Sequence, residues 1–320
     1  MNHNKDKYRH RASEYIKFDY DDTEPTTIDS QVQETSPAVG ERRGENLFMS
    51  FGSGSSGNCA YLGTFTSGIL IDAGIDIDHV FDVLKLNGIF PYAVKGIILT
   101  HDHQDHVRYV YSYLRNNKHL RVYCTPKLLN GLLRRHNISR KLREYHEPIY
   151  KEIPFHLAGM TITAFETSHD GTDNMGFNIE IGNCNFVVAT DMGIITPRAE
   201  YYMSKANHLM IESNYDSSML TNGTYPEYLK SRVRGERGHL DNVVATRFVT
   251  DHYHEGLRNV FLCHLSNDNN RPEIACHTMT QALLERGVTV GDASNSPDQR
   301  NRDIQLYALP RFKASPLFVL

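Results

Sequence analysis

The sequence predicts an α/β layered domain, because strand-like runs and helix-like segments alternate along most of the chain. Apolar runs of strand length recur between residues 47 and 264, and segments with helical spacing of apolar residues lie between them. No segment repeats at a fixed period. With 320 residues, 40% of them hydrophobic, the chain is long enough for a soluble domain with a sizeable core.

The predicted elements follow from the spacing of apolar residues. Strands are predicted in NLFMSFGS, SGILIDAG, VKGIILT, LRVYCT, MTITAFET, MGFNIEI, NFVVATD, HLMIES and NVFLCHL. Helices are predicted in DIDHVFDVLKLNGI, HVRYVYSYLRNN, PKLLNGLLRRH, HLDNVVATRFVTDHYH and PEIACHTMTQALLERG. In the first of these helices, for example, Val80, Val83 and Leu84 recur at helical spacing. A Gly/Ser loop, GSGSSGN, separates the first strand from the next.

The N-terminal segment differs from the rest of the chain in composition. It is polar, acidic and nearly free of apolar periodicity, as DYDDTEPTTIDSQVQETSPAVGERRGE shows. Such a composition cannot bury a core. We therefore expect residues 1–45 to form a disordered extension and residues 46–320 to form the folded domain.

Composition also bears on the cellular compartment. The N-terminus, MNHNKDKYRH, is charged from the start, so no secretory signal is predicted, and no apolar run reaches bilayer length. The five cysteines are an odd number, widely scattered and without a CxxC pair, which is typical of reduced thiols. We therefore expect a cytoplasmic protein with no membrane contact.

The densest chemical signal follows the apolar run VKGIILT. His101, His103, Asp105 and His106 form an HxHxDH pattern directly after this predicted strand. Residues just beyond a strand can fold back so that alternate side chains converge on one point. His101 and His103 are therefore expected to hold one metal ion, and Asp105 and His106 a second. Imidazole and carboxylate ligands together suit zinc, manganese or iron.

Three later strands also end in residue types that bind metals. FETSHD places His169 after an apolar run, VVATDMG does the same for Asp191, and VFLCHLS does the same for His264. Each residue alone is more often part of a turn or a cap. Their order after the HxHxDH pattern makes them a set that can complete the metal site.

The set, read in order, is Asp72, the HxHxDH pattern, His169, Asp191 and His264. This order resembles the five-motif signature of the metallo-β-lactamase superfamily, and the resemblance covers about residues 47–309. It implies a four-layered αββα sandwich with two divalent metal ions, zinc or manganese, at one edge. It assigns the first ion to His101, His103 and His169. It assigns the second to Asp105, His106 and His264, with Asp191 as the bridge and Asp72 as a group that orients ligands.

Glu212 and His239 point towards phosphodiester substrates. Glu212 ends a predicted strand, and His239 is predicted to open a helix with Asp241 close behind. The pair resembles the Glu and His of tRNA 3′-processing enzymes and related phosphodiesterases, which helps to protonate the leaving oxygen. A histidine oriented by a glutamate is a good general acid, worth about 10²–10⁴-fold in rate. Asp105 is expected to orient or deprotonate the attacking water.

Three segments, FGSGSSGNCAYL, GHLDN and HLSNDNNRPE, resemble the WalJ branch of the superfamily, also called YycJ or VicX. This resemblance implies a 5′ to 3′ exonuclease that acts on double-stranded DNA, with a link to mismatch repair. It places Ser266 and Asn270 beside His264 as residues that support the ligands. Asp241 stands where this branch usually has serine, and we expect it still to cap the helix.

Basic residues flank both chemical motifs. Arg108, Arg134 and Arg135 follow the HxHxDH pattern, and Arg232 and Arg234 lie in KSRVRGERGH just before the proposed proton donor. Basic patches of this kind suit a polyanion, with affinity that weakens as salt rises. We therefore expect these five arginines to contact nucleic acid, most simply double-stranded DNA.

Two alternatives remain open from the sequence. A small-molecule hydrolase for a thioester or lactone, as in glyoxalase II, shares HxHxDH but needs a narrow pocket and no long basic surface. A regulator that keeps the metal site as a scaffold is disfavoured, because every ligand position, including Asp105, is filled. The interval between Asp191 and His264 is too short for the inserted domain of β-CASP nucleases.

Overall fold

The computed structural model describes residues 44–320, in which two β-sheets pack face to face between layers of helices. This is the predicted αββα sandwich. The predicted N-terminal extension lies outside the described residues, apart from its last two. No helix in the described part of the chain is long and apolar enough to span a bilayer.

The strands of residues 44–320 fall into a seven-stranded and an eight-stranded sheet. In chain order they are β1 Leu47–Gly52, β2 Cys59–Gly63, β3 Gly68–Ile71, β4 Val94–Ile98, β5 Val122–Cys124, β6 His146–Pro148, β7 Phe155–Leu157, β8 Met160–Glu166, β9 Met175–Ile181, β10 Cys184–Ala189, β11 His208–Glu212, β12 Asn259–Cys263, β13 Val290–Gly291, β14 Ile304–Ala308 and β15 Phe318–Val319. The orders are β15-β1-β2-β3-β4-β5-β6 and β13-β14-β12-β11-β10-β9-β8-β7. The run β3 to β6 is parallel in the first sheet, and β10, β11, β12 and β14 are parallel in the second.

The helices are α1 Ile77–Leu86, α2 Gln104–Val107, α3 Val110–Asn116, α4 Pro126–Arg135, α5 Pro197–Met203, α6 Ser217–Asn222, α7 Glu227–Arg234, α8 Asn242–Asp251 and α9 Pro272–Glu285. The predicted helix in HVRYVYSYLRNN is in fact divided between α2 and α3. The prediction that His239 opens a helix is wrong, because α8 begins at Asn242. Asp241 is its N-cap, as predicted, and accepts a hydrogen bond from the backbone N–H of Val243.

The core between the two sheets is built around aromatic rings. Phe48 of β1 lies with its ring centroid 4.8 Å from that of Phe186 of β10 and 4.6 Å from that of Phe261 of β12. A second apolar cluster joins the outer face of the eight-stranded sheet to α8 and α9, through residues such as Val249 and Met279. The first layer therefore joins the two sheets, and the second joins the helices to the eight-stranded sheet.

The carboxyl ends of the parallel strands carry the chemical groups. Asp72 follows β3, the HxHxDH pattern follows β4, Asp191 follows β10 and His264 follows β12. Three of these residues have a left-handed backbone, with φ of 62° at Asp72, 51° at Asp191 and 54° at His264. Non-glycine residues seldom adopt this conformation, and where they do the strain is often stored at functional sites. The turn at each strand end aims the side chain back towards the neighbouring strands.

The HxHxDH loop is held in place by a close approach of backbone. Ala73 donates a backbone hydrogen bond of 2.7 Å to the carbonyl of His106, and Asn58 donates one of 2.8 Å to the carbonyl of Asp105. A Cβ atom added to Gly74 would lie 1.6 Å from the carbonyl oxygen of Asp105. Position 74 therefore requires glycine for the loop to reach its observed place.

Candidate metal centre

The first group of predicted ligands is His101, His103, His169 and Asp191, whose ligand atoms lie within 4.8 Å of one another. Nε2 of His101 and Nε2 of His169 each lie 3.7 Å from Oδ2 of Asp191. Two ligands bound about 2.1 Å from one ion at a tetrahedral angle lie roughly 3.4 Å apart. The observed separations therefore suit ligands around a cation better than direct hydrogen bonds.

The second group is Asp105, His106 and His264, and Asp191 faces it as well. Oδ2 of Asp105 lies 3.6 Å from Nε2 of His106 and 3.4 Å from Nε2 of His264. Asp191 places Oδ1 3.6 Å from Nε2 of His106 and Oδ2 3.5 Å from Nε2 of His264. One carboxylate thus lies between both groups, at the position that the resemblance assigns to a bridge.

His101 gives the clearest test of whether these residues suit a metal. Its Nε2 is buried and has no hydrogen-bond partner within residues 44–320. Burial, reinforced by neighbouring His106, holds the pKa of His101 well below its ordinary value. A buried nitrogen without a partner is costly, whereas a neutral imidazole is the form that coordinates a metal. The donor set of imidazoles and carboxylates fits zinc or manganese.

The buried carboxylates also attract positive charge. Burial disfavours the charged form of His106, but the carboxylates of Asp191 and Asp72 outweigh it and hold the pKa of His106 well above its ordinary value. Burial opposes protonation of His264 too, yet Asp191 and a hydrogen bond with Asp105 help to raise its pKa to about 10. The cavity between the two groups is therefore a place where cations are stabilised.

Asp72, which the resemblance assigns to orienting the ligands, contacts the predicted ligand His106. Its Oδ2 lies 2.7 Å from Nδ1 of His106, which directs Nε2 towards the cavity. The backbone N–H of Thr100 donates to Oδ1 of Asp72 at 2.8 Å, and its hydroxyl lies 3.0 Å from Nδ1 of His101. Such contacts fix the tautomer and the ring orientation of metal-binding histidines. The contribution of Thr100 was not predicted.

Other orienting residues come from distant parts of the chain and were missed. Nδ1 of His169 lies 2.8 Å from the carbonyl of Gly238. The side-chain amide of Asn58 donates to Oδ2 of Asp105 at 3.1 Å, and that of Asn214 donates to the carbonyl of His264 at 2.7 Å. For Asn58, the one sequence feature that could have indicated this role is its position in the GSGSSGN loop.

Asp170 is a further group that the sequence reasoning missed. Its Oδ1 lies 3.1 Å from Nε2 of His103, while its Oδ2 accepts hydrogen bonds from Nε and Nη2 of Arg232 at 2.9 and 2.8 Å. Contact with His103, followed by that with Arg232, keeps the pKa of Asp170 well below its ordinary value. Asp170 therefore stays ionised. It can hold Nε2 of His103 so that Nδ1 of His103 faces the other predicted ligands of the first group.

Glu212 and His239 are in contact, although they are 27 residues apart. Oε1 of Glu212 lies 2.7 Å from Nδ1 of His239 and 3.1 Å from Nδ1 of His264. Oε2 accepts backbone hydrogen bonds from Met192 at 2.8 Å and Leu240 at 3.2 Å. These are hydrogen-bond distances, so Glu212 orients both imidazoles. The carboxylate is fully buried, while His239 lines the open cleft.

Ser266 and Asn270 do not touch the predicted ligands with their side chains. The Ser266 hydroxyl accepts a hydrogen bond from the backbone of Asn269, and Asn270 donates to the carbonyl of Ser213 at 2.8 Å and exchanges hydrogen bonds with Asn242. The prediction that both support His264 directly is therefore wrong. Asn270 instead joins the loop after β12 to Ser213, which follows β11, and to Asn242 of α8, while Ser266 binds Asn269 within its own loop.

The five arginines that were predicted to contact nucleic acid fall into two sets. Arg135 and Arg232 line a cleft of about 380 Å³ together with His103, Asp105, Asp191, His239 and His264. Both carry partners, since Nη1 of Arg135 lies 3.1 Å from Oδ1 of Asp102 and Arg232 binds Asp170. Arg108, Arg134 and Arg234 are exposed but do not line this cleft.

Replacing Asp170 by asparagine removes the charge that holds His103 and keeps a side chain of the same shape. We expect Asp170→Asn to weaken binding of the first metal ion about 10–100-fold, measured by competition with a chelator. Asp251→Asn is the matched control, because Asp251 is exposed and pairs with Arg286. Equal metal affinity in wild type and Asp170→Asn would show that Asp170 does not orient His103.

Comparison with known proteins agrees with the geometry. The family model described as "Beta-lactamase superfamily domain" matches residues 68–264. The exodeoxyribonuclease YycJ of Bacillus anthracis is 30% identical over 247 residues, which cover 77% of this chain and 92% of YycJ. The exodeoxyribonuclease WalJ of Streptococcus pneumoniae is 28% identical over 240 residues, covering 75% of this chain and 88% of WalJ.

A solved structure shows the same fold. The metallo-β-lactamase fold protein YhfI from Bacillus subtilis superposes with a TM-score of 0.58 at 13% sequence identity, covering 85% of this chain and 99% of YhfI. The predicted sandwich and the predicted family are therefore confirmed. The chain belongs to the metallo-β-lactamase superfamily, as a hydrolase of that fold with similarity to the YycJ and WalJ exonucleases.

Proposed function

We propose that the protein is a dinuclear-metal phosphodiesterase that degrades double-stranded DNA from its 5′ ends. The observation that carries this proposal is the Glu212–His239 pair, placed beside two groups of metal-binding side chains. Hydrolysis of a phosphodiester releases an alkoxide, which needs a proton, whereas a thioester releases a stable thiolate. Similarity to two proteins named exodeoxyribonucleases supports the same substrate class.

His239 is the group that we propose as proton donor. Nδ1 lies 2.7 Å from Oε1 of Glu212, so the ring donates this N–H to the carboxylate and keeps Nε2 for the substrate. Burial raises the pKa of Glu212, but the contacts with His239 and His264 outweigh it and lower that pKa. The ionised glutamate therefore accepts the Nδ1–H of His239 and directs Nε2 towards the leaving oxygen.

Asp105 is proposed to act on the attacking water. Two divalent ions, zinc or manganese, would supply Lewis acidity for the attack of water on the phosphate. Burial raises the pKa of Asp105, but His106 and then His264 outweigh it, and the pKa lies below its ordinary value. The carboxylate is thus ionised, and its side chain remains 18% exposed to the cleft. It can accept a hydrogen bond from water and fix its direction of attack.

The cleft suits a charged polymer better than an apolar acyl group. Its lining is polar throughout and includes Ser55, Gln104 and His136 as well as Arg135 and Arg232. Each arginine has donors beyond those used by its carboxylate partner, so a phosphate can bind to either. We propose that these two arginines contact the strand near the bond that is cleaved, and that the other three predicted arginines bind phosphates farther away.

The proposed setting of the activity is the cytoplasm, with a role in DNA repair. All five cysteines are free, and Cys59, Cys124 and Cys263 are buried. Free thiols throughout the chain suit a reducing compartment. The repair role follows from the resemblance to the WalJ branch and from the proposed 5′ to 3′ direction of degradation.

The proposed substrate is tested with an end-labelled, 5′-phosphorylated duplex and added Mn²⁺. We expect wild type to release label from the 5′ end and the variant Asp105→Ala with His106→Ala to release none, because the second ion group is lost. The matched control is Asp78→Ala with His79→Ala, an exposed Asp-His pair on α1, which should cleave as wild type does.

Failure to cleave duplex, single-stranded DNA and RNA, by a protein shown to hold two metal ions, would contradict the nuclease proposal. A lactoylglutathione-type thioester would then be the next substrate to assay, since the small-molecule alternative shares the same ligands.

The role of His239 is tested by changing the leaving group. We expect His239→Ala to lower kcat on DNA by about 10²–10⁴-fold. The same change should lower kcat on a p-nitrophenyl phosphodiester by less than about tenfold, because p-nitrophenolate leaves without a proton. His252→Ala, at a surface histidine paired with Glu200, is the control. Equal losses on both substrates, at unchanged metal content, would show that His239 does not protonate the leaving group.

A further inference from the structure

A second cavity lies beside the metal centre, at the same edge of the eight-stranded sheet. The strands β12 and β14 are parallel neighbours, so residues 309–312, which follow β14, lie next to the loop that starts at His264. The backbone N–H of Leu309 donates to the carbonyl of Leu262 at 2.8 Å. A cavity of about 300 Å³ opens between these two loops. Neighbouring strands are about 4.8 Å apart, so the cavity is one strand spacing beyond His264.

Two arginines line this cavity, which we call the Arg311 cavity. Arg311 enters from the loop after β14, and Arg271 enters from the loop after β12. Nη1 of Arg311 donates to the carbonyl of Leu265 at 2.9 Å. Nη1 of Arg271 donates to the carbonyls of Asn267 and Asn270 at 2.8 and 2.5 Å. Backbone carbonyls therefore hold both guanidinium groups in place. Within residues 44–320, neither group forms an ion pair with a carboxylate.

Residues 44–320 compensate the charge of Arg311 poorly. Its Nε is buried and has no hydrogen-bond partner within residues 44–320, and burial lowers the pKa of the guanidinium. Among the acids, Asp268 acts most strongly on Arg311, but the Asp268 carboxylate accepts a hydrogen bond from Tyr225 at 3.0 Å. A half-buried cation with unused donors favours a bound anion.

The loop 53–58 separates the Arg311 cavity from the second group of predicted metal ligands. A Cβ atom on Gly54 would lie 2.7 Å from Nη1 of Arg311, so glycine permits this approach. The backbone N–H of Gly54 donates to Oδ1 of Asn58 at 2.8 Å, and Asn58 in turn donates to Asp105. The loop 53–58 thus touches Arg311 on one side and Asp105 on the other.

An exposed aromatic ring borders the same cavity. Phe312 is 72% exposed, and the guanidinium of Arg311 lies 5.3 Å from its ring centroid. Exposed aromatic side chains next to cationic grooves provide platforms on which nucleic-acid bases stack. The two arginines and the ring together offer one site for a phosphate and one for a base.

We propose that the Arg311 cavity binds a phosphate group of the nucleic-acid strand other than the one that is cleaved. Arg311 and Arg271 bind its oxygens, and Phe312 stacks against the adjoining base. This inference rests on the proposed nuclease function and deepens it, because a fixed distance between this phosphate and the metal centre sets which bond is cut. It also gives a role to the segment HLSNDNNRPE, whose Ser266 and Asn270 make no side-chain contact with a metal ligand.

The test compares Arg271→Gln with Arg311→Gln, singly and together, in the metal-loaded full-length protein acting on a duplex. We expect the double variant to raise KM about tenfold or more while kcat changes less than about threefold. The slope of log kcat/KM against log salt concentration should become less steep by about one for each arginine removed. Arg271 is exposed, so Arg271→Gln keeps the test informative if the Arg311 variant is unstable.

Arg286→Gln is the matched control. Arg286 lies just after the other end of α9 from Arg271, about 20 Å away, and pairs with Asp251. It should leave KM and the salt slope unchanged. Duplexes with a 5′-phosphate or a 5′-hydroxyl distinguish the source of the bound group. A KM effect confined to the phosphorylated duplex identifies the terminal phosphate, and an equal effect on both identifies an internal one.

Failure of the phosphate site can be distinguished from failure of the proposed nuclease function. A wild-type protein that cleaves DNA, with Arg271 and Arg311 variants whose KM and salt slope match wild type, would overturn the phosphate site and leave the nuclease function standing. A wild-type protein that cleaves no nucleic acid would remove the nuclease function and this inference with it.

Discussion

The buried carboxylate of Asp191 is the group on which the site depends. Its side chain is 2% exposed, and its two oxygens lie 3.5 to 3.7 Å from histidines of both ligand groups. A buried negative charge is costly unless positive charge compensates it. The positive φ of Asp191, the sharp ends of β3 and β12 and the folded-back HxHxDH loop all serve to bring imidazoles around this one carboxylate. The fold therefore provides a pre-formed place where positive charge is stabilised between the two groups.

Glu212 links the metal centre to the proposed proton donor. A single oxygen, Oε1, lies within hydrogen-bond distance of Nδ1 of both His264 and His239, while backbone N–H groups hold the other oxygen. A displacement of His264 therefore moves the group that orients His239. One buried side chain therefore fixes the position of His239 relative to His264, which is the kind of preorganisation that catalysis requires.

The sequence predicted most of the candidate ligands that the fold brings together, because these residues follow apolar strands that are easily recognised. The run VKGIILT before His101 and the run NFVVAT before Asp191 are such cases. The helices α5, α6 and α7 were missed, since each is short and shows at most about two turns of apolar spacing. Asp170 was missed because its partner Arg232 is 62 residues away, and no local pattern reveals a contact between distant loops. Arg311 was missed for the same reason, since only the parallel pairing of β12 with β14 brings it beside His264.

Counting bound metal ions most directly tests whether Asp191 joins two ion sites. The measurement is a titration of the metal-free protein with Zn²⁺ or Mn²⁺, followed by metal analysis of wild type, His264→Ala and Asp191→Ala. We predict two ions per chain in wild type, one in His264→Ala, and weakened binding of both ions in Asp191→Ala. A wild-type protein that binds a single ion, or an Asp191→Ala variant that keeps two ions at wild-type affinity, would contradict the shared-carboxylate centre.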